Sequence, residues 1–294
     1  MLSICIPTYN FSVYTLVQSL SQQAVKEHIN TEIIVIDDCS SDEFKKNNQN
    51  INNLSLVKYI ELPKNIGRSK IRNLFLQYAR FDCLLFIDCD AKVFRDDFIR
   101  HYIENIGKAE IIVGGVAYDK EKPKKSIRLR WEYGHKREYT PLGNRLMKPY
   151  DSFKTFNFLT SRNLIENIGF DQSISKYGHE DTLFGIALKN AGVSILHIDN
   201  PLIHIGLEPN NIFLSKTQKA IDGLWELYSS RKFDKNSNIR LLNTYLNLNI
   251  AISKCLALSF PVFSTLLKIT IWFGLPSLVL FDLYKLSYLC KIAK

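Results

Sequence analysis

The 294-residue chain is 46% hydrophobic and 23% charged, which excludes a disordered chain and allows a large buried core. A net charge of +9 favours anionic partners such as nucleotides or phospholipid head groups; no recognised motif accompanies it, so nucleic acid is not expected. The six cysteines (Cys5, Cys39, Cys83, Cys89, Cys255 and Cys290) form no CxxC pair and no zinc spacing, so a reducing compartment is expected.

The chain opens on strand-like sequence, "LSICIPTYN" from Leu2, with no charged n-region or cleavage site ahead of it. The protein is therefore expected to stay in the cytosol or to reach a membrane from that side. Short apolar runs follow at 3–6 ("SICI"), 32–36 ("EIIVI"), 84–87 ("LLFI"), 110–116 ("EIIVGGV") and 194–198 ("SILHI"). Helical spacing separates the early ones over 14–23, 69–79 and 96–106. Unalternated apolar strands divided by helices predict a mainly parallel sheet covered on both faces, an α/β Rossmann-like arrangement over about residues 1–117. In such sheets ligands gather at the carboxyl ends of strands. Three of these ends carry "PTYN", "DDCS" and "DCD".

From 118 to about 150 the pattern breaks into a basic stretch, "DKEKPKKSIRLRWEYGHKR", read as a long excursion over the site. A helix is predicted from about Glu180, with apolar Leu183, Ile186, Ala187 and Leu188, stopped by Gly192. Further helices are predicted across 212–231 and 238–258. The C-terminal segment is the most apolar. Lys268, Asp282, Pro261, Gly274 and Pro276 divide it, so short helices lying in a membrane interface are expected rather than a span. Its lysines at 254, 268, 285, 291 and 294 suit anionic head groups.

Several residue types point to chemistry. Asp88 and Asp90 stand two apart at a strand end, so both can face one hard divalent cation; they can equally be solvated punctuation. Tyr9 offers a ring face to a base, and Asp37 or Asp38 can accept from a base or ribose; turn and capping roles explain the same residues. In "KNIGRSKIRN", Gly67 suits a turn and Arg72 can reach a phosphate or simply be a surface charge. Glu180 and Asp181 open a helix, where acids oppose the dipole or where one can serve as general base. His204 follows an apolar run, as a partly buried histidine or as a ligand.

Taken in order, "IPTYN", "VIDDCSSD", "NIGRSKIRN", "DCD", "GFDQSI" and "YGHEDTLFG" resemble the family 2 glycosyltransferases, over about residues 1–206. The resemblance implies a glycosyltransferase A fold. It implies a nucleotide-sugar-binding half at 1–117 and an acceptor-binding and catalytic half at 118–210; the helical, apolar extension at 211–294 is read from the sequence pattern alone. It assigns Pro7, Tyr9 and Asp38 to the nucleotide, Arg72 to the donor, Asp88 to the ribose, and Asp90 with His204 to Mn2+ or Mg2+. Asp181 becomes the base and Glu180 a residue that orients acceptor hydroxyls. The implied reaction is inverting transfer from a nucleotide-sugar donor, with UDP the family's commonest nucleotide, to a hydroxyl of a saccharide. A glycan or lipid-linked saccharide of a bacterial envelope polymer is the expected acceptor. It would be met at the cytoplasmic face of the inner membrane, with the C-terminal segment on the membrane surface.

Two features depart from the family pattern: His179 stands where a glycine is frequent, and "FNFLTSRN" lacks the common double glycine. Three other readings compete. A glycosidase could use paired carboxylates but leaves the nucleotide-like strand ends unexplained. A sugar nucleotidyltransferase would carry a glycine-rich basic loop near the first strand, which "IPTYNFS" is not. A membrane-associated subunit could keep the fold without catalysis.

Overall fold

The computed structural model describes residues 1–27, 29–173, 178–233, 237 and 239–293. Tyr177, part of "GFDQSI" and Lys294 therefore lie outside the described residues. The described residues form ten strands: β1 (Leu2–Thr8), β2 (Thr31–Asp37), β3 (Val57–Glu61), β4 (Cys83–Ile87), β5 (Ala91–Lys92), β6 (Ile111–Val113), β7 (Val116–Ala117), β8 (Asn157–Ser161), β9 (Ile195–His197) and β10 (Leu202–His204). The helices are α1 (Tyr14–Lys26), α2 (Asp42–Gln49), α3 (Arg68–Tyr78), α4 (Phe98–Ile103), α5 (Arg128–Tyr133), α6 (Leu142–Met147), α7 (Arg162–Asn167) and α8 (Glu180–Asn190). Beyond these come α9 (Asn210–Ser229), α10 (Arg240–Leu246), α11 (Ile250–Trp272) and α12 (Leu278–Ile292).

Contacts divide the chain into two units. The first comprises Met1–Asp119, Tyr139–Ser175 and Glu180–Gly206; the second comprises Lys120–Glu138, Lys176–His179 and Leu207–Lys294. The basic segment Lys120–Glu138 thus groups with the C-terminal helices, whereas its sequence position suggested grouping with residues up to 210.

The first unit is built on a sheet of order β3-β2-β1-β4-β8-β6-β9. β1 pairs in parallel with β2 and β4, and β2 with β3, while β8 runs antiparallel between β4 and β6. Alternation along the strands sends side chains to two cores. Ile4, Ile6, Ile33, Val35, Leu85 and Ile87 meet α1 and α4 through Leu16, Val17, Leu20, Phe98 and Tyr102 on one face. Cys5, Ile34, Ile36, Leu84 and Phe86 meet α3, α7 and α8 through Ile71, Phe75, Ile165, Phe184 and Leu188 on the other. Burial on both faces explains why these strands read as unbroken apolar runs. A small second sheet, β5-β10-β7, pairs His204 with Ala91 and so returns the chain to the end of β4.

The run 110–116 is two strands, because Gly114 and Gly115 interrupt it. A Cβ on Gly114 would overlap Asn157 Oδ1 and the Asn200 carbonyl, and Gly115 has φ +100° beside the Arg145 guanidinium. The turn therefore needs both glycines.

In the second unit, α5 packs Leu129 and Tyr133 with Leu214, Leu267, Phe281 and Tyr284. The stretch expected to be irregular thus holds a helix, fixed where Asn210 accepts from Leu129 N at 3.0 Å and donates to Lys125 O at 2.8 Å. The helix expected over 238–258 is instead two, divided at Asn247–Asn249, where the Asn249 side chain caps α11 by accepting from Ile252 N at 2.8 Å.

The C-terminal expectation of short pieces is also corrected. α11 runs unbroken through Pro261 for 23 residues and is long and apolar enough to cross a membrane by length and composition. Pro261 removes the hydrogen bond to the Ala257 carbonyl, but it sits at an exposed position, and adjacent Phe260 packs on Tyr284 and Tyr288 of α12.

Candidate active site

The sheet order runs 3-2-1 and then jumps to 4, so the boundary between β1 and β4 is the topological switch point of the parallel part. Ligand crevices in open α/β sheets form outside the carboxyl ends of strands at such a point. Pro7 is the penultimate residue of β1, which ends at Thr8, and half-exposed Tyr9 follows the strand. Asp88, Cys89 and Asp90 follow β4. β1 and β4 are neighbours in the sheet, so the two strand ends lie side by side. Burial, with the charges of Asp90 and Asp88, holds the Cys89 thiol well above its ordinary range, which leaves it inert.

The end of β2 is organised by its two acids. Asp37 is buried, accepting from Ser40 N at 2.6 Å and from the Tyr59 hydroxyl at 2.9 Å. Asp38 is buried too, accepting from Ile66 N at 2.7 Å and Gly67 N at 2.9 Å. Asp38 therefore fixes the turn that starts α3, where Gly67 adopts φ +85°, and each of its oxygens keeps further acceptor capacity. Asn10, also left-handed at φ +48°, links the β1 end to this loop by accepting from Ser41 N at 2.9 Å.

Helix α3 then delivers two arginines one turn apart. Arg72 is buried and donates from Nη2 to Asp88 Oδ1 at 2.7 Å, while its Nε has no hydrogen-bond partner among the described residues. Arg68 donates from Nη1 to Glu180 Oε1 at 3.1 Å, with the arginine side chain 55% exposed and the glutamate 8%. Burial pushes the Asp88 carboxyl above its usual range; Arg72 opposes this and Asp90 adds to it. For Glu180, burial also acts upward, but Arg68 and Arg72 outweigh it and hold the carboxyl below its usual range. Each arginine thus feels both acids, and the end of β4 and the start of α8 share one charge network.

Asp90 and His204 are brought together by the β5–β10 pairing, with His204 Nε2 3.2 Å from Asp90 Oδ2. The imidazole lies beside the rings of Tyr118 and Phe156, at centroid distances of 5.6 and 5.5 Å, and among the described residues its buried Nδ1 has no hydrogen-bond partner. Ile205 N donates to the Asp90 carbonyl at 2.9 Å, and a Cβ on Gly206 would overlap the Asp90 carboxylate. Asp181 lies in the first turn of α8, half-buried, with Oδ1 accepting from Thr182 N at 2.7 Å. Among the described residues it makes no hydrogen bond or ion pair with Asp88 or Asp90.

Of the residues singled out in the sequence, the structure joins Arg72 to Asp88 and Asp90 to His204 directly, and links Glu180 to them through the arginines. Pro7, Tyr9 and Asp38 occupy neighbouring strand ends, and Asp181 sits beside Glu180 on α8. Arg68 and Gly206 were missed. Arg68 lay within a quoted motif but looked like any exposed cation. For Gly206 the available signal was its place two residues beyond His204.

The sequence model of glycosyl transferase family 2 matches residues 3–169. A Bacillus subtilis (strain 168) protein described as an uncharacterized glycosyltransferase, YfnE, is 24% identical over 297 residues, covering 84% of this chain and 73% of that protein. Among solved structures, the mannosyltransferase PcManGT from Pyrobaculum calidifontis, in complex with GDP-Man and Mn2+, superposes with a TM-score of 0.60 at 16% identity. That match covers 100% of this chain and 86% of that one. TarS 1-349 of S. aureus in complex with UDP-GlcNAc gives a TM-score of 0.51 at 15% identity over 99% and 90% of the two chains. These likenesses identify the architecture as the glycosyltransferase A fold. With a family match that spans more than half of its length, the chain belongs to glycosyl transferase family 2.

Proposed function

We propose that the chain moves a sugar from a nucleotide-sugar donor, in the first instance a UDP-sugar, to a hydroxyl of a saccharide acceptor with inversion at the anomeric carbon. The observation that carries this reading is the Asp90–His204 pair beside the β1/β4 switch point. Asp90 and His204 would offer a hard divalent cation one carboxylate oxygen and one imidazole nitrogen. The two atoms lie 3.2 Å apart, close enough to face one ion. Among the described residues the buried Nδ1 of His204 has no hydrogen-bond partner, so the ring is held by packing against Tyr118 and Phe156 rather than by a second hydrogen bond. Among the described residues no group of three or more His, Cys, Asp or Glu side chains forms a metal cluster. Asp90 and His204 would therefore hold Mn2+ or Mg2+ together with phosphate oxygens of the donor and water. When bound, the cation supplies positive charge at the diphosphate.

The remaining roles belong to side chains. The exposed face of Tyr9 takes the base, with Pro7 shaping the end of β1 and Asp38 presenting its spare acceptor capacity to the base or ribose. Arg72 holds Asp88, which accepts from a ribose hydroxyl. Asp181 takes the acceptor's hydroxyl proton as that oxygen bonds to the anomeric carbon and the carbon's bond to the diphosphate oxygen breaks. Glu180, kept ionised by Arg68 and Arg72, orients acceptor hydroxyls. Displacement in one step needs no covalent intermediate.

For the acceptor we propose a lipid-linked saccharide or glycan of a bacterial envelope polymer, met at the cytoplasmic face of the inner membrane. The net charge of +9 and the exposed apolar face of α11 support that choice. The test of the chemistry is Asp181→Asn, which is expected to lose transfer by about 10²–10⁴-fold while donor binding, measured by calorimetry, stays unchanged. Equal loss of both would contradict the assignment of the base.

A further inference from the structure

The second unit brings together two segments that are far apart in sequence. Arg128 donates to Gly274 O at 2.6 Å and to Pro123 O at 3.1 Å. Gly274 lies in the turn between α11 and α12, and Pro123 lies inside a lysine run. The Lys125 side-chain carbons crowd Gly274 so closely that a Cβ there would overlap them. Lys120, Lys122, Lys124 and Lys125 are all exposed. Across the turn, Trp272 is 75% exposed, Phe273 58% and Leu275 69%. Three large apolar side chains at one chain reversal, with the Lys125 stem and Arg128 against Gly274 and the exposed Lys120, Lys122 and Lys124 in the same tethered segment, make an amphipathic tip rather than a scatter of surface residues.

The tip continues along α11. Leu258, Val262, Leu266, Ile269 and Trp272 are exposed at helical spacing, a stripe flanked by exposed Lys254 and Lys268. The opposite side of α11 is already taken by α12, through Leu267 and Phe260 against Phe281 and Tyr284. α12 in turn carries Asp282, which pairs with Arg137 at 2.9 Å and Lys285 at 2.8 Å. Moving α11 across a bilayer would draw this ionic network toward hydrocarbon, which is costly for charged groups. Lying in the interface leaves the network at head-group level and buries only the apolar stripe.

We propose that the Trp272–Leu275 turn and the tethered lysine segment seat the second unit in the surface of an anionic bilayer, with α11 in the plane of the interface. Lipid is the partner that matches both halves of the tip: aromatic and aliphatic groups for the acyl boundary, ammonium groups for anionic head groups. The proposal deepens the membrane part of the reading above. It does not depend on sugar transfer, since binding is read without donor or acceptor.

The experiment is flotation of the full chain with vesicles of phosphatidylcholine alone and of phosphatidylcholine mixed equally with phosphatidylglycerol. Recovery is expected with the mixed vesicles, with release by high salt and by alkaline carbonate. Each lysine near such a surface is worth roughly five-fold in binding, so changing Lys120, Lys122, Lys124 and Lys125 to Gln should weaken recovery by at least about ten-fold. Trp272→Ser with Phe273→Ser should do the same with an unchanged melting curve. If that double variant melts early, Leu275→Asp probes the same tip from outside either helix.

Equal recovery on both vesicle types, or none on either, would overturn the proposal. So would full retention by the Trp272, Phe273 and Leu275 variants, which would leave a purely electrostatic surface. Resistance to carbonate would overturn it in favour of a span.

Discussion

Arg72 Nη2 lies 2.7 Å from Asp88 Oδ1, and this pair fastens the second turn of α3 to the end of β4. Arg72 side-chain exposure is 3% and that of Asp88 is 28%, so removing the arginine strands a carboxylate with little access to water. Breaking a fully buried pair typically costs about 3–5 kcal/mol; with Asp88 partly open, Arg72→Ala is expected to cost about 2–3 kcal/mol. Urea unfolding of the two proteins measures it. A loss below about 0.5 kcal/mol, the level of a surface substitution, would show that the pair is no fastening. Arg72→Lys should recover only part, because the planar fork is lost.

The Arg68–Glu180 pair makes a pH prediction. Glu180 titrates below its ordinary value of 4.5 in the folded chain, so near that pH the unfolded state binds more protons than the folded one. Its stabilising contribution is present above about pH 4.5 and is lost as pH falls through the folded value. Arg68→Ala removes the stronger of the two counter-charges and lets burial push the carboxyl up. Melting temperatures across the acid range should show the variant below wild type near neutrality, with the gap closing as both proteins become protonated. A gap that stays constant into acid would rule out a charge effect.

Gly206 presses on Asp90. A Cβ at that position would overlap the carboxylate, so Gly206→Ala must displace either the chain after β10 or the Asp90 side chain. Residues that hold a metal-ligating group in place commonly cost about 10–100-fold in metal affinity when changed. Gly206→Ala should weaken Mn2+-dependent nucleotide binding by a factor in that range, with little change in binding of nucleotide without metal. Unaltered Mn2+ dependence would mean the contact has no bearing on the site.

The parallel core was readable because both its faces are buried. Leu84 to Ile87 and Ile33 to Ile36 show no polar alternation, so strand, direction and functional end could be inferred from the runs themselves. β8 was not readable as a central antiparallel strand: "NFLTS" is short, and its place between β4 and β6 depends on distant partners. Asp38 illustrates a second limit. An acid at a strand end can bind a ligand or cap a turn, and only the structure shows its oxygens on Ile66 N and Gly67 N. Arg68 illustrates a third, since its interest lies in Glu180, a partner more than a hundred residues away. Pro261 misled in the opposite sense, because packing of α11 on α12 overrides the local preference of one residue.

The central claim is that Asp90 and His204 hold a divalent cation against a nucleoside diphosphate, and thermal stabilisation by UDP and GDP, each with and without Mn2+, tests it most directly. A ligand at a hundred times its dissociation constant stabilises the folded state by about 2.7 kcal/mol. One diphosphate should raise the melting temperature of the wild-type chain only when Mn2+ is present, and Asp90→Asn and His204→Ala should each remove that dependence. Stabilisation of the same size without metal, or undiminished Mn2+-dependent stabilisation in both variants, would contradict it.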